Sequence, residues 1–385
     1  MNGEQARWLV GPQAAEALVA SAAEGDPASL AAAERMRRVL PPDRAALVLA
    51  QEALRRRAAT KFGPLATALF FTADGLEQAT RPRVAAWRAQ RFVAAGVRRV
   101  IDLGCGLGAD ALALLAAGLQ VVAVEADEAT AVLARANLGI DVVVGDAIEL
   151  LDDLAGPDAA VFCDPARRTS SGRSWRLDDL RPPWSFVEHL LATRVCCIKL
   201  GPGLPLKHVP DSVAATWVSD GGDLVELSLW NRLWQPGREA VLLPGGHVLG
   251  EGGWRGPAAP TTPAVGEVLY EPDPAVIRAG LVDRLAGRLK ARRVHADIAY
   301  LVAAEPRDTP FATAFEVLQV LDAGERTLKG WVREQRVGTL EIKKRGVDID
   351  PAALRRRLKP AGPNSATLVL TPTPDGARAL VVRRL

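Results

Sequence analysis

Asp102, three glycines at alternate positions (Gly104, Gly106, Gly108) and Glu125 are the first residues of this chain whose types and spacing could do chemistry. Glycine lets a backbone turn sharply and lets a ligand approach main-chain N–H groups at a helix start. An acid ending the next apolar run, Val121 to Val124, can accept hydrogen bonds from both hydroxyls of a ribose. The stretch therefore predicts a pocket for a ligand carrying an adenosine. A second set follows: Asp146 in Gly145-Asp146-Ala147, then Asp164-Pro165, then Lys199, each at or just beyond the end of an apolar run. Asp146 suits an adenine amino group or the N-cap of a helix over 147–154, and one carboxylate can serve both.

The glycines alone fit two cofactors. Gly104, Gly106 and Ala109 satisfy the dinucleotide pattern G-x-G-x-x-[GA], while Gly104, Gly106 and Gly108 satisfy the G-x-G-x-G of S-adenosylmethionine enzymes. An acid within the turn sits badly against a pyrophosphate and well beside an ammonium, because like charges repel and opposite charges attract. Asp102 and the Asp164-Pro165 pair therefore favour S-adenosylmethionine over a nicotinamide dinucleotide.

Such residues need a scaffold that gathers strand ends. From 97 to about 245 short apolar runs alternate with helical stretches, the signature of a parallel sheet covered on both faces. Strands are expected at 97–103, 121–125, 141–144, 159–163, 194–199, 214–218 and 224–230, and helices at 109–117, 128–137, 147–154 and 182–192. Ligands of these sheets bind beyond the carboxyl ends of the strands, where Asp102, Glu125, Asp146, Asp164 and Lys199 all fall.

Residues 1–95 are rich in Ala, Leu, Arg and Glu and read as helices broken at Gly25-Asp26-Pro27 and Pro41-Pro42. Asp43 is the expected cap of a helix from Arg44 to Thr60, and one helix from about Leu76 is expected to run through Val84, Trp87 and Phe92. The nucleotide-binding sheet is assigned to 96–248, a glycine- and proline-dense linker to 249–265, and a small basic α+β unit to 266–385. In that last unit a helix is expected over 273–289, strands around 312–320, 337–342, 366–371 and 379–383, and helices near 323–334 and 351–358.

A length of 385 residues suggests two or three domains. Formal net charge is only +3, yet Gly324 to Leu385 carries 14 Lys and Arg against 6 Asp and Glu, concentrated at Lys343-Lys344-Arg345 and Arg355-Arg356-Arg357. Such asymmetry is the footprint of a polyanion partner or of a solvated helix face. Arg168, Arg173 and Arg176 follow Asp164-Pro165 together with Trp175, a basic loop with an aromatic that suits an RNA strand. Lys199 is either a substrate contact or a snorkelling side chain. No apolar run approaches 18 residues, and the start MNGEQARWLVGP lacks a signal-peptide pattern. Cys105, Cys163, Cys196 and Cys197 fall in the predicted core or the glycine turn, as buried thiols of a cytoplasmic protein, with no zinc-site spacing.

The stretches Ile101-Asp102-Leu103-Gly104-Cys105-Gly106-Leu107-Gly108, Val124-Glu125-Ala126-Asp127, Gly145-Asp146-Ala147 and Asp164-Pro165-Ala166-Arg167-Arg168 resemble the class I S-adenosylmethionine-dependent methyltransferases. Leu76-Glu77-Gln78-Ala79-Thr80 and Glu341-Ile342-Lys343-Lys344-Arg345-Gly346 resemble more narrowly a bacterial group related to trimethylguanosine synthases that carries a C-terminal THUMP-like domain. The resemblance implies a Rossmann-like doubly wound α/β sheet, a helical N-terminal segment and an α+β THUMP-like domain. It further implies that Asp102, Gly104, Cys105, Gly106 and Gly108 surround the methionine moiety, with Thr80 approaching the same end. Glu125 would hold the ribose, Ala126 and Asp127 flank the adenine, and Asp146 and Ala147 meet its edge. Asp164 and the carbonyl of Pro165 would accept the two hydrogens of a base amine.

The commonest amine-methylating loop has proline and an aromatic where this chain has Ala166 and Arg167. A guanidinium plane can also stack on a base or pair with a phosphate. Asp-Pro-x-Arg also resembles RNA enzymes that methylate the uridine ring through a cysteine. Those carry a Cys-Asn-Pro turn, whereas Cys196-Cys197 is followed here by Ile198-Lys199-Leu200-Gly201-Pro202. The resulting expectation is a methyltransferase acting on a base of structured RNA, tRNA or rRNA. The competing readings are an RNA-binding protein that retains the cofactor without transfer, a nicotinamide-dependent reductase, and a methyltransferase of proteins or small molecules.

Overall fold

Proline and glycine set the breaks of the N-terminal helices. In the computed structural model, which describes residues 1–156, 158–167, 177–251 and 259–385, the chain opens with α1 (Gly3–Val10), α2 (Pro12–Ala22), α3 (Leu30–Arg37) and α4 (Pro42–Phe62). Asn2 and Gln5 close a reciprocal capping box on α1. The expected cap of α4 is corrected: Pro41 takes the cap position, Pro42 the first helical one, and Asp43 lies in the first turn. The single helix expected from Leu76 is also corrected, because it is two, α5 (Ala73–Gln78) and α6 (Pro82–Ala94). Pro82 forces Arg81 into extended backbone, φ −61° and ψ 133°, and the chain turns there.

The chain divides into two units, Met1–Ala215 with Glu226–Pro236, and Thr216–Val225 with Gly237–Leu385. The first is built on β1 (Arg99–Leu103), β2 (Gln120–Glu125), β3 (Val142–Val144) and β4 (Ala159–Cys163), followed by a short pair, β5 (Ala166–Arg167) with β6 (Leu180–Arg181), and then β7 (Cys196–Leu200). Its strand order is β3, β2, β1, β4, β7, all parallel. Burial on both faces explains why β1 and β4 read as continuous apolar runs. The helices α7 (Ala109–Ala116), α8 (Glu128–Leu138), α9 (Ala147–Leu154) and α10 (Trp184–Thr193) alternate with the strands. The strand order turns back at β1, since β2 and β3 lie on one side of it and β4 and β7 on the other, and ligands of open α/β sheets bind at that reversal.

The last two predicted strands are β8 (Ala214–Asp220) and β9 (Asp223–Asn231). They do not extend the parallel array, because β9 runs antiparallel to β7, with Lys199 opposite Ser228. Gly221 and Gly222, both at positive φ, make the link between β8 and β9 too short for a parallel crossover.

In the second unit β10 (Gly237–Leu243) pairs antiparallel with β11 (His247–Gly250). A seven-stranded sheet follows, made of β12 (Val268–Pro272), β13 (Arg292–His295), β14 (Ile298–Ala303), β15 (Ala312–Asp322), β16 (Val337–Lys344), β17 (Asn364–Thr373) and β18 (Gly376–Arg384). Its order is β13, β14, β12, β15, β18, β17, β16. The helix expected over 273–289 is corrected to α11 (Pro274–Arg278) and α12 (Val282–Leu289), parted by Gly280 at φ +72°. Two more helices, α13 (Glu325–Glu334) and α14 (Pro351–Leu358), cover one face of this sheet, where Leu328, Trp331, Leu354, Leu368 and Leu370 share a core. Val369 and Leu380 point to the other face, beside Tyr300 and Phe315. Of the expected linker, 252–258 lie outside the described residues, and Thr261 donates its N–H to the Arg293 carbonyl. Among the described residues no helix is long and apolar enough to cross a membrane.

Gly338 and Gly362 allow β16 to meet the loop before β17 backbone to backbone: a Cβ on Gly338 would lie 1.7 Å from the Gly362 carbonyl oxygen, and one on Gly362 1.7 Å from that of Arg336. Neither backbone can yield without losing the Gly362 N–H bond to Val337 and the Asn364 N–H bond to Arg336. Gly338→Ala is expected to lower the stability of the second unit by about 2–3 kcal/mol, read as an earlier unfolding transition in urea.

Candidate functional site

The glycine turn leaves β1 with Gly104, Gly106 and Gly108 at φ +80°, +54° and +88°, a region that side chains other than glycine seldom occupy. At Gly104 and Gly106 the direction a Cβ would take is open space, so the main chain itself faces the crevice. Two N–H groups of the turn, of Gly104 and Cys105, donate to the Val124 carbonyl at 2.9 and 2.8 Å. Glu125 ties the turn to the end of β2, one carboxylate oxygen accepting from the Gly106 N–H and the other from the Asp127 N–H, both at 2.9 Å. Ala126 and Asp127 are exposed. Asp127 caps α8, and the N–H and hydroxyl of Thr130 hold its carboxyl below the usual carboxylate range. Asp146 is the N-cap of α9, accepting from the Ile148 N–H at 2.7 Å, and Ala147 is buried behind it.

Beneath this rim lies a buried set of charges. Asp102 is 1% exposed, and among the described residues its Oδ2 has no hydrogen-bond partner. Burial pushes its carboxyl well above the ordinary range, and the neighbouring Asp110 and Asp164 push in the same direction. Asp110, in the first turn of α7, accepts from the Thr80 hydroxyl at 2.5 Å and forms an ion pair with Arg88. The Arg88 guanidinium, itself 1% exposed, also pairs with Glu226 of β9 and stacks 4.8 Å from the centre of the Phe162 ring. Glu226 in turn accepts from the Ser228 hydroxyl at 2.8 Å.

Thr80 reaches this set because Lys61 fixes the chain just before it. The Lys61 ammonium donates to the carbonyls of Leu76, Glu77 and Ala79 at 2.8, 3.2 and 2.6 Å, which satisfies the open end of α5. Arg88, Asp110 and Glu226 were not singled out from the sequence. One signal was present: Arg88 lies four residues from both Val84 and Phe92, on the face of α6 that is buried.

Asp164, the residue after β4, is ion-paired with Lys199 of β7, and Pro165 beside it is buried. Burial raises the Asp164 carboxyl above its ordinary range, against the pull of Lys199. For Lys199 burial works the other way, and the carboxylates of Asp164 and Asp110 outweigh it, so its ammonium holds its proton more firmly than usual. The backbone of Arg167 pairs with Leu180, while its side chain and Arg168, Arg173, Trp175 and Arg176 lie outside the described residues. All four cysteines are free and buried. Burial pushes each thiol upward, Cys196 to about 12, which disfavours the thiolate at neutral pH.

In the second unit the basic triplet is divided by the strand that carries it. Lys343 donates to Glu271 at 2.7 Å and lies over the Phe315 ring, and Arg345 lies 5.5 Å from the centre of the Tyr300 ring. Lys344 is exposed.

The strand order and the glycine crevice define a Rossmann-like nucleotide-binding fold of the methyltransferase type. A crystal structure of a Porphyromonas gingivalis W83 protein assigned as a methyltransferase shares it, with a TM-score of 0.80 at 24% identity, covering 100% of this chain and 99% of that one. Residues 312–384 match the THUMP domain-like family. Two relatives, from the CDC 1551 and H37Rv strains of Mycobacterium tuberculosis, are 33% identical over 343 residues, spanning 86% of this chain and 93% of theirs. Both are described as uncharacterized S-adenosylmethionine-dependent methyltransferases. The chain belongs to the S-adenosylmethionine-dependent methyltransferases, and S-adenosylmethionine is its cofactor.

Removing Arg88 would leave two buried carboxylates facing each other without a cation. Arg88→Met is expected to cost about 3–5 kcal/mol of stability by chemical denaturation. Arg7→Met, which breaks only the exposed Arg7–Glu128 pair, should cost less than about 1 kcal/mol.

Proposed function

We propose that this chain transfers a methyl group from S-adenosylmethionine to a base of structured RNA, tRNA or rRNA. The observation that carries the reading is the unpartnered, buried Oδ2 of Asp102 beneath a glycine turn whose main chain faces open space. A buried carboxylate without a partner suits a ligand that brings a cation, and the ammonium of the methionine moiety is one. Gly104, Cys105, Gly106 and Gly108 would line the same end of the pocket. The Thr80 hydroxyl is donated to Asp110, so toward a ligand it acts as an acceptor. Glu125 already accepts two main-chain N–H groups, and its remaining lone pairs can take the ribose hydroxyls. Asp127 and Asp146 each spend one oxygen on a helix cap and keep the other for the adenine side, with Ala126 and Ala147 as its apolar walls.

The cofactor supplies a methyl group on a sulfonium, already a good leaving group. The protein's work is to hold an acceptor lone pair in line with it at about 3–3.5 Å. An exocyclic base amine keeps its lone pair delocalised in the ring unless acceptors bind its two hydrogens. Oδ1 of Asp164 and the carbonyl of Pro165 are the acceptors for those two hydrogens. As the N–C bond forms the S–C bond breaks, S-adenosylhomocysteine leaves, and the surplus proton on the nitrogen passes to the Asp164 carboxylate and on to water. Arg167 would stack on the base or pair with a phosphate, and Arg168, Arg173 and Trp175 would follow the strand.

Support for RNA comes from the THUMP domain-like match over residues 312–384 and from the surplus of positive charge on the same stretch. Because Lys343 is tied to Glu271 and Arg345 lies against Tyr300, Lys344 is the member of the triplet most open to a phosphate. Lys343 and Arg345 would act through the field they add.

Asp164→Ala is expected to reduce transfer of label from S-adenosylmethionine to total RNA by at least about 100-fold, while calorimetry shows S-adenosylhomocysteine binding little changed. Labelled RNA at the wild-type rate would remove Asp164 from the chemistry. Lys344→Glu is expected to weaken RNA binding and to lower the slope of log affinity against log salt by roughly one. An identical salt series for the two proteins would take the triplet out of RNA recognition.

A further inference from the structure

Lys199 remains without a task in the proposed transfer, although its place is tightly set. β4 and β7 are parallel neighbours with Cys163 opposite Ile198, so the next residues, Asp164 and Lys199, stand side by side at the strand ends. The Lys199 ammonium reaches Oδ2 of Asp164, and among the described residues no other side chain donates to that carboxylate. The lysine side chain is 13% exposed against 33% for the aspartate, so the cation is the deeper of the two.

The charges around Asp164 leave few alternatives to this partner. Asp110 of α7 faces it as a carboxylate, Asp102 of β1 is itself pushed toward its neutral form, and Cys163 of β4 adds a neutral thiol. Among the described residues Arg88 of α6 also acts on it, and its guanidinium is already shared between Asp110 and Glu226. Lys61, which Lys199 repels, is committed to three carbonyls. Burial and the neighbouring Asp110 carboxylate favour the neutral acid at Asp164, and a neutral acid would point a hydrogen at the incoming amine instead of accepting one.

We infer that Lys199 is a positioning residue for methyl transfer: it keeps Asp164 charged, takes up Oδ2 and leaves Oδ1 for one hydrogen of the amine. The inference rests on the methyl-transfer reading of this site and gives Lys199 a role exerted through Asp164. A lysine suits the task because an ammonium is a point charge that can occupy a single oxygen. An arginine fork would pair with both oxygens and leave none for the substrate.

The test follows label from S-adenosylmethionine into total RNA, taken from cells lacking this protein, across pH 6 to 9. Lys199→Met removes the influence that draws the Asp164 carboxyl downward, so its midpoint rises and the ionised fraction falls most at low pH. Transfer by this variant should therefore fall further at pH 6 than at pH 9, by about twofold to tenfold for each unit that the acidic limb moves up. Binding of S-adenosylhomocysteine should stay within about threefold of wild type. Lys199→Arg, which keeps the charge, should restore the wild-type acidic limb and only part of the rate, and it serves as the readout if Lys199→Met does not fold.

A wild-type pH profile in Lys199→Met, or an unrestored limb in Lys199→Arg, overturns the inference while leaving methyl transfer standing. A salt-dependent rise in KM for RNA with an unmoved profile also overturns it, by making Lys199 a phosphate contact. No label from the wild-type protein at any pH overturns the methyl-transfer reading itself.

Discussion

The site depends on how its buried acids share the cations that reach them. Among the described residues, Asp102, Asp110, Asp164 and Glu226 gather around two paired cations, Arg88 and Lys199. In a medium of low polarity a charge without a partner is costly, so the pairing that forms is close to forced. Arg88 divides itself between Asp110 and Glu226, Lys199 takes Asp164, and Asp102 is left over. The unpaired acid is the one that ends the strand feeding the glycine turn. The same sharing that makes the free protein pay for this arrangement prepares it for a positively charged ligand.

The arrangement also explains why the N-terminal helices belong to the catalytic unit. Arg88 comes from α6 and Thr80 from the bend before it, and both act on Asp110 at the start of α7. The bend is held by Lys61 from the end of α4. Helices that look like a separate leading segment in the sequence thus supply a charge and a hydroxyl to the crevice, and the glycine turn cannot be understood from its own residues.

How much of this was legible follows from how local each cause is. The strands of the first unit were visible because burial on both faces writes continuous apolar runs, and the cap at Asp146 because an acid before a helix acts on N–H groups two or three residues away. The break at Arg81 was also written locally, in Pro82, although the apolar spacing through Val84 and Phe92 concealed it. The pairs of Arg88 were not legible: its partners lie 22 and 138 positions away, and only the sheet brings them together. In the second unit β12, β13 and β14 escaped notice because each is a run of six residues or fewer beside stretches that read as helix or loop.

The basic triplet shows where reading charge by adjacency fails. Three consecutive charges suggest one surface, but along a strand successive side chains point to opposite faces. Lys343 and Arg345 therefore turn toward Glu271, Phe315 and Tyr300, whereas Lys344 turns to solvent with the opposite parity. On α14 the run Arg355-Arg356-Arg357 is exposed throughout, and Arg357 is paired with Glu325. A polyanion approaching this unit would meet a field assembled from strand and helix together, with few fixed contacts. Fields of that kind speed encounter and raise non-specific affinity, whereas selection among polyanions of one kind requires shape or direct contacts.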